Sequence, residues 1–375
     1  MRIVVNTRLL LKNRLEGIGW FSYETLKRIT RNHPEHQFYF IFDRPFHEDF
    51  VFSENVTPIV SYPPARHPYL WYLFFEFGIP YYVNKIKPDI FLSPDGWMPL
   101  NLDCKTVNVI HDINFEHHPE FIMPKPLWYY KKYFHQFAQR ATRIATVSEY
   151  SKSDIQKTYQ IAPEKIDVVY NGCNSLYKPL QDSEKQLIRE QYTKGNPYFL
   201  FVGAIHPRKN LVRLFLAFDN FKQTDQKNTK FVIVGNQKGF TGEIEQTYEQ
   251  MRCKDDVLFL GRKEIDELVK ITGAAEAMLY ISLFEGFGIP ILEGFHAEIP
   301  VITSNTTSMP EIGDDAVSLV NPYSIDEITQ SLQKISENQE YREQLILKGR
   351  NRKQLFSWEI TAEKLWNSIQ LTLLH

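Results

Sequence analysis

The sequence predicts an α/β fold built as two parallel-sheet domains, and three observations carry that prediction. The chain has 375 residues, too many for one ordinary hydrophobic core and well suited to two. Short apolar strand-like runs alternate with helical segments, the order that yields a parallel sheet covered by helices on both faces. The rhythm breaks near Cys173 to Asp182, where Pro179 lies, and restarts at Tyr198, which sets expected domains of 1–172 and 173–355 with a closing helix in 356–375.

In the first domain the strand-like runs are Ile3–Asn6, Gln37–Phe42, Ile90–Leu92, Thr106–Ile110, Arg143–Val147 and Lys165–Val169. A loop ending Glu16-Gly17-Ile18-Gly19 joins the first of them to a helix expected over Trp20–Arg31. Gly17 and Gly19 supply two positions of the G-x-G-x-x-G dinucleotide turn, but Ser22 stands at the third, so an NAD fingerprint is incomplete. Either the two glycines let backbone approach a ligand, or they serve a tight turn. Ligands of such sheets gather at the carboxyl ends of strands. Gly17, Asp95-Gly96, His111-Asp112 and Ser148-Glu149 all fall there. A histidine at a strand end can hydrogen-bond as the neutral ring or carry charge near physiological pH, while Asp112 can equally cap the turn that follows.

The second domain opens with the strand Tyr198–Val202, then Gly203, then Arg208-Lys209 and a helix over Leu211–Lys222. Strand, glycine, basic pair and helix make a phosphate site. A helix N-terminus alone contributes only ~0.3–1 kcal/mol of anion attraction, so a diphosphate needs real cations, and charge-assisted hydrogen bonds contribute about 1.5–3 kcal/mol each. Two cations at a helix start oppose its dipole, a local misfit that points to function. Lys230–Val234 ends in the turn at Gly235, and Val257–Leu260 precedes a short helix over Glu264–Thr272. The strand-like run Ala277–Leu283 delivers the stretch Phe284–Pro300, in which Glu285 and Glu293 flank the turn Gly286-Phe287-Gly288. Pro290 suits the first turn of a helix over Ile289–Ala297, whose free N–H groups bind anions and hydroxyls. Helices over Ile325–Glu337, Tyr341–Leu355 and Trp358–Leu373 close the chain.

Composition removes several classes. A net charge of −2 gives none of the basic excess of nucleic-acid proteins, so no nucleic-acid partner is expected. Cys104, Cys173 and Cys253 form no pairing pattern, which argues against a disulfide framework or zinc and fits a reducing cytoplasm. His111, His117 and His118 with Asp112 and Glu116 match no metal spacing, and no D-x-D motif occurs, so no metal is expected. The N-terminus reads as a strand and not as a signal peptide. The longest apolar stretch, 69–83, is interrupted by Glu76, Gly78 and Pro80 and falls short of the ~20 residues that span a bilayer. The aromatic, basic segment 124–140 suits either a peripheral membrane contact or a core-facing stripe with lysines in solvent.

Taken in order, Gly17-x-Gly19, His111-Asp112, Asn171-Gly172, Arg208-Lys209 and Glu285-x7-Glu293 resemble the motifs of retaining GT-B glycosyltransferases of family four, the glycosyl transferases group 1. The resemblance spans essentially the whole chain. It implies two Rossmann-like domains facing a cleft, the first on the acceptor side, the second holding a nucleotide-diphosphate sugar, and a last helix packed back on the first domain. It implies catalytic roles for His111, Arg208, Lys209 and Glu285, and donor contacts at Gly17, Gly19, Asp112, Gly203, Gly235, Phe287, Gly288 and Glu293. The strand Pro197–Ala204 and the segment Asn108–Asp112 resemble those of bacterial mannosyltransferases of surface-polysaccharide assembly, which favours GDP-mannose over a UDP-hexose as donor and a glycan or lipid-linked hydroxyl as acceptor, with no cofactor besides the donor. A UDP-sugar epimerase of the same shape and a non-catalytic nucleotide-sugar binder remain as alternatives. The expected location is the cytoplasm, with peripheral contact at the inner face of the membrane as an extension.

Overall fold

The structure is a computed structural model and describes residues 1–374. It contains two compact units, Met1–Gly172 together with Ser357–His375, and Cys173–Phe356. Each is organised on one sheet in which every strand pair is parallel.

The first unit holds β1 (Arg2–Asn6), β2 (Gln37–Phe42), β3 (Val56–Val60), β4 (Ile90–Ser93), β5 (Lys105–Val109), β6 (Arg143–Thr146) and β7 (Ile166–Val168). Their spatial order is β3-β2-β1-β4-β5-β6-β7. The chain thus builds outward from β1 in one direction and from β4 in the other. Every residue of β4 and β6 is buried, as a parallel strand covered on both faces must be. The helix Trp358–Leu373 packs on the helix Gly17–Asn32 and on β5 and β6, and Thr361 Oγ1 donates to the Tyr170 carbonyl at 2.6 Å.

The second unit repeats the plan with β8 (Tyr198–Val202), β9 (Lys230–Val234), β10 (Val257–Gly261), β11 (Ala277–Tyr280), β12 (Val301–Ser304) and β13 (Ser318–Val320). The order is β10-β9-β8-β11-β12-β13, so the reversal of direction falls between β8 and β11. A core of Phe199, Phe201, Leu214, Phe218, Phe231, Ile302 and Leu332 fills this unit. Burying such side chains contributes about 1.5–3 kcal/mol each.

Several elements differ from the sequence reading. The first long helix starts at Gly17 and not at Trp20, so Gly17 and Gly19 lie in its first turn and not in a loop before it. A Cβ on Gly17 would meet nothing within 4 Å, whereas one on Gly19 would press on the Leu9 carbonyl at 3.1 Å; only Gly19 has a steric reason to be glycine. The strand β3 was not anticipated because Pro58 interrupts it, which a sheet edge tolerates. The helix Asp182–Thr193 follows a segment expected only as a linker; Thr193 is its one buried residue, so it lacks the apolar stripe that marks a helix. On the helix Pro124–Arg140, Tyr129, Tyr133, Phe134, Phe137 and Ala138 are buried, which makes most of its aromatic content core.

Gly235 shows where two loops of the second unit touch. Its φ is 155°, and a Cβ there would lie 1.8 Å from the Gly203 carbonyl oxygen. Gly235→Ala should therefore destabilise the protein by about 3 kcal/mol, a clash with backbone that cannot rotate away, seen as a lower midpoint in urea unfolding; an unchanged midpoint would mean the two loops are not held in contact.

Candidate active site

The second sheet places its loops by topology. Because connections leave β8 toward β9 and β11 toward β12, the loops after β8 and β11 are drawn apart and leave room at the carboxyl ends between them. After β8 the chain passes Gly203 at φ 151° and forms a short turn, Pro207–Lys209, before the helix Leu211–Phe221. Asn210 sits between turn and helix in a left-handed conformation, φ 63°. Its buried Nδ2 donates to the carbonyls of Ile281 at 3.2 Å and Pro322 at 2.7 Å. Leu283 N donates to the Arg208 carbonyl at 2.8 Å. Backbone contacts therefore hold the basic pair against the loop that carries Glu285.

Glu285 is only 8% exposed. Its Oε2 lies 2.5 Å from Arg208 Nη1 and its Oε1 2.7 Å from Lys209 Nζ. Arg208 Nη1 also donates to the Phe284 carbonyl at 2.7 Å, and Lys209 Nζ donates to the Tyr280 hydroxyl at 3.3 Å while lying 4.7 Å from that ring's centre. Burial pushes the Glu285 carboxyl up, but the charges of Arg208 and Lys209 outweigh it and hold the pKa at about 2. Glu285 is thus a carboxylate throughout the physiological range, paired with two cations. Burial, and then the neighbouring Glu285, raise the Tyr280 phenol and keep it neutral.

The loop beyond Glu285 is fastened by hydroxyls. Glu285 N donates to Thr307 Oγ1 at 3.3 Å, and the buried Ser308 Oγ donates to the carbonyls of Glu285 at 2.9 Å and Phe287 at 2.7 Å. The Phe287 ring is buried edge-to-face against Phe356, so this residue has only its backbone to offer a ligand. Gly288 takes φ 123°, and the helix Ile289–Ala297 then begins with Pro290 in its first turn. Glu293 lies on the second turn, partly exposed. Burial raises its pKa to about 7, with the Tyr177 hydroxyl and the charge of Lys209 opposing the rise.

The second unit thus brings Arg208, Lys209, Glu285 and Glu293 into one electrostatic group, with Gly203 close enough that an added Cβ would be 3.9 Å from Lys209 Cε. Gly235 is one strand away, its N donating to the Gly261 carbonyl at 2.9 Å. Tyr177, Tyr280, Thr307 and Ser308 belong to the same group and were missed in the sequence, since nothing in their spacing marks a tyrosine or hydroxyl that serves a glutamate elsewhere in the chain.

His111, Asp112, Gly17 and Gly19 belong to the first unit. His111 Nε2 donates to the Pro94 carbonyl at 2.9 Å and its ring meets Phe21 edge-on at 4.9 Å. Burial lowers its pKa, so the ring is neutral at pH 7. Asp112 Oδ1 accepts from Asn114 N at 3.0 Å and from Asn114 Nδ2 at 2.6 Å, the geometry of a turn cap. Between β1 and β4, where this sheet reverses, Arg8 Nε lies 2.5 Å from Asp95 Oδ2, and Asn6 Nδ2 donates to Asp95 Oδ1 at 2.9 Å. The Arg8 guanidinium stacks 4.3 Å from the Trp97 ring centre. Arg8 went unnoticed because one basic residue after a strand carries no motif. Among the described residues no group of acidic, histidine or cysteine side chains is placed to hold a metal ion.

Two sheets of this kind, each reversing at its own switch point, define the GT-B architecture, and solved structures agree. A sucrose-phosphate synthase from Thermosynechococcus elongatus superposes with a TM-score of 0.78 at 16% identity, covering 99% of this chain and 98% of that one. HepE of Anabaena, in complex with UDP and glucose, gives 0.76 at 16% identity over 99% of each chain. The family profile for glycosyl transferases group 1 matches residues 182–352, and that for glycosyltransferase family 4 matches 16–175. With both halves matched, the chain belongs to the group 1, family 4 glycosyltransferases. It is 27% identical over 286 residues to O-antigen chain mannosyltransferase B of Escherichia coli, covering 76% of this chain and 75% of that protein. It is 28% identical over 269 residues to the O-antigen chain mannosyltransferase RfbU of Salmonella typhimurium, 72% and 71% of the two chains.

The raised pKa of Glu293 has a measurable consequence. The folded protein keeps this proton to about pH 7 while the unfolded chain loses it near 4.5, so ionising it weakens the fold progressively as pH rises between those values. Glu293→Gln should remove that loss: its stability relative to wild type should rise between about pH 5 and about pH 8 in urea titrations. A constant difference would show that Glu293 titrates normally.

Proposed function

We propose that this glycosyltransferase moves a hexose, with mannose favoured, from a nucleoside-diphosphate sugar to a hydroxyl of a glycan or lipid-linked acceptor, with retention of configuration at the sugar carbon. GDP-mannose is the favoured donor and surface-polysaccharide synthesis the favoured setting, both supported by the O-antigen mannosyltransferases to which the chain is similar. The observation that carries the reading is the anchoring of Glu285 between Arg208 and Lys209 at the switch point of the second sheet.

In this reading 173–355 is the donor domain and 1–172 the acceptor side, with 356–375 its last helix. The bond from the sugar carbon to the phosphate oxygen breaks and its electron pair leaves with the diphosphate. The acceptor oxygen forms the new bond on the same face, and its proton passes to the departing phosphate. Arg208 and Lys209 stabilise the charge that develops on that phosphate, electrostatic work aimed at the transition state. Because fixed side chains supply this charge, the reaction needs no divalent metal. Glu285, with the backbone N–H groups around Phe287 and Gly288, holds the sugar hydroxyls, and Glu293 holds the ribose. Gly203 and Gly235 let backbone come close to the nucleotide. His111 stands by the sugar as a neutral hydrogen-bonding ring, and Gly17, Gly19 and Asp112 shape the same side. Nucleotide sugars and a reducing environment fit a cytoplasmic enzyme, with peripheral membrane contact where the acceptor is lipid-linked.

Incubation with labelled GDP-mannose, and in parallel with UDP-hexoses, tests the reading by the product formed. Label on an acceptor, or slow release of the free sugar, is the expected outcome; an isomerised or untouched donor would overturn it. Glu285→Gln should lower kcat/KM about 100-fold, the order seen when one charge-stabilising group is lost, with the circular-dichroism spectrum of the folded protein retained. Near-normal turnover would remove Glu285 from the site.

A further inference from the structure

Arg8 follows β1 at the point where the first sheet reverses, and three contacts fix its side chain. Nε pairs with Asp95 Oδ2 at 2.5 Å, and the guanidinium lies 4.3 Å from the Trp97 ring centre and 5.4 Å from that of Phe75. Asp95 is itself held in place, its Oδ1 accepting from Asn6 Nδ2 at 2.9 Å, Ser93 Oγ at 3.1 Å and Trp97 N at 3.2 Å. The loop around it is tied to the next strand, since Asn108 Nδ2 donates to the Gly96 carbonyl at 3.1 Å and His111 Nε2 to the Pro94 carbonyl at 2.9 Å. Arg8 is only 9% exposed, yet among the described residues neither its Nη1 nor its Nη2 has a hydrogen-bond partner. Almost all of this cation has left water, so two unpaired donors on it are costly, and a site kept for stability alone would pair them.

The surroundings are aromatic, and their polar tips are unpaired as well. Trp97 is 4% exposed and the Tyr130 ring half-buried; among the described residues neither the indole N–H of the first nor the hydroxyl of the second has a partner. The Tyr130 ring meets Trp97 edge-on at 5.3 Å and lies parallel to Trp71 at 6.4 Å. Burial raises the Tyr130 phenol, and the charges of Arg8, Asp95 and Asp112 act on it too, so the tyrosine, the ion pair and the loop after β5 share one neighbourhood. Two of those three charges are carboxylates, so an anion gains little there. An uncharged ligand rich in hydroxyls fits the donors without that conflict.

We propose that Arg8, Trp97 and Tyr130 form an acceptor subsite for an uncharged sugar, in which both Nη groups of Arg8 donate to two neighbouring ring hydroxyls and the aromatic rings take the C–H face. Such a site has the usual make-up of a small-molecule pocket, aromatic walls with a few fixed polar groups that set orientation. The proposal rests on the reading of 1–172 as the acceptor side, and it narrows the acceptor: the end that receives the hexose is a neutral glycan read by its hydroxyls, not a phosphate or an acidic sugar. Asp95 is a positioning residue that aims the guanidinium, and the bond from His111 to the Pro94 carbonyl joins this loop to the residue which, in the same reading, stands by the transferred sugar.

Ligand-observed NMR titration of the full chain, with and without GDP, tests this with uncharged disaccharides of mannose, glucose, galactose and N-acetylglucosamine, and with mannose 6-phosphate and glucuronic acid as charged probes. At least one uncharged disaccharide should bind, and both charged probes should bind at least tenfold more weakly. Arg8→Lys keeps the charge beside Asp95 but loses the planar fork, and should weaken disaccharide binding about tenfold or more; Tyr130→Phe should weaken it about threefold. Arg14→Lys, an exposed residue of the same loop, should bind as wild type. With GDP-mannose as donor, Arg8→Lys should raise the KM for the disaccharide about tenfold and leave that for the donor unchanged, a split that a general loss of structure would not give. GDP titrated alone reads the donor site separately, so its failure to bind wild type would strike the donor reading while disaccharide binding still decides this one. Binding by none of the uncharged disaccharides, tighter binding of the charged probes, or equal binding by wild type and Arg8→Lys would overturn the proposal.

Discussion

The candidate site of the second unit is organised on one interaction, the carboxylate of Glu285 held between the guanidinium of Arg208 and the ammonium of Lys209. Stability does not call for such a cluster. Taking charges out of water carries a penalty that their attraction only partly offsets, and well-packed apolar side chains commonly do as well. The surrounding structure is arranged to keep it nonetheless: Asn210 and Ser308 use buried polar groups to lock the two loops, and the Leu283 amide ties to the Arg208 carbonyl. What the arrangement gains is two cations at fixed positions whose present anion can share them with a stronger one.

The first unit carries a related device at the same topological place. Where its sheet reverses between β1 and β4, Arg8 pairs with Asp95; where the second reverses between β8 and β11, Arg208 pairs with Glu285. Both pairs are largely buried, and both arginines come from the loop after the first strand of their sheet. They differ in their neighbours. Arg8 stacks on Trp97 and its carboxylate is further held by Asn6, whereas Arg208 stands beside a second cation.

Much of this was legible in the sequence because the motifs are short and sit next to strands. Gly203, Arg208-Lys209 and Glu285-Gly286-Phe287-Gly288 each follow a strand that apolar runs announce, so their place at the carboxyl end of a sheet could be inferred before any coordinates. Glu293 followed from Pro290 and the helix it opens. What stayed hidden depends on contacts distant in sequence: Tyr177 against Glu293, Tyr280 beneath Lys209, Thr307 and Ser308 fastening the loop, and Arg8 on Asp95. Burial was the other blind spot. The aromatic run 124–140 looks uniform as a sequence, and only packing separates Tyr129 and Phe137, which are core, from Trp128, which is not. Helix starts were misjudged where glycine masks them, as at Gly17.

The central claim is that Arg208 and Lys209 form the diphosphate seat that Glu285 keeps in place. Calorimetric titration of GDP into wild type and into Arg208→Ala and Lys209→Ala tests it most directly, because it measures the seat without chemistry or acceptor. Each substitution should weaken binding about tenfold or more, the loss of one charge-assisted contact, with the fold unchanged by circular dichroism. Nucleotide binding that is indifferent to both substitutions would contradict the account.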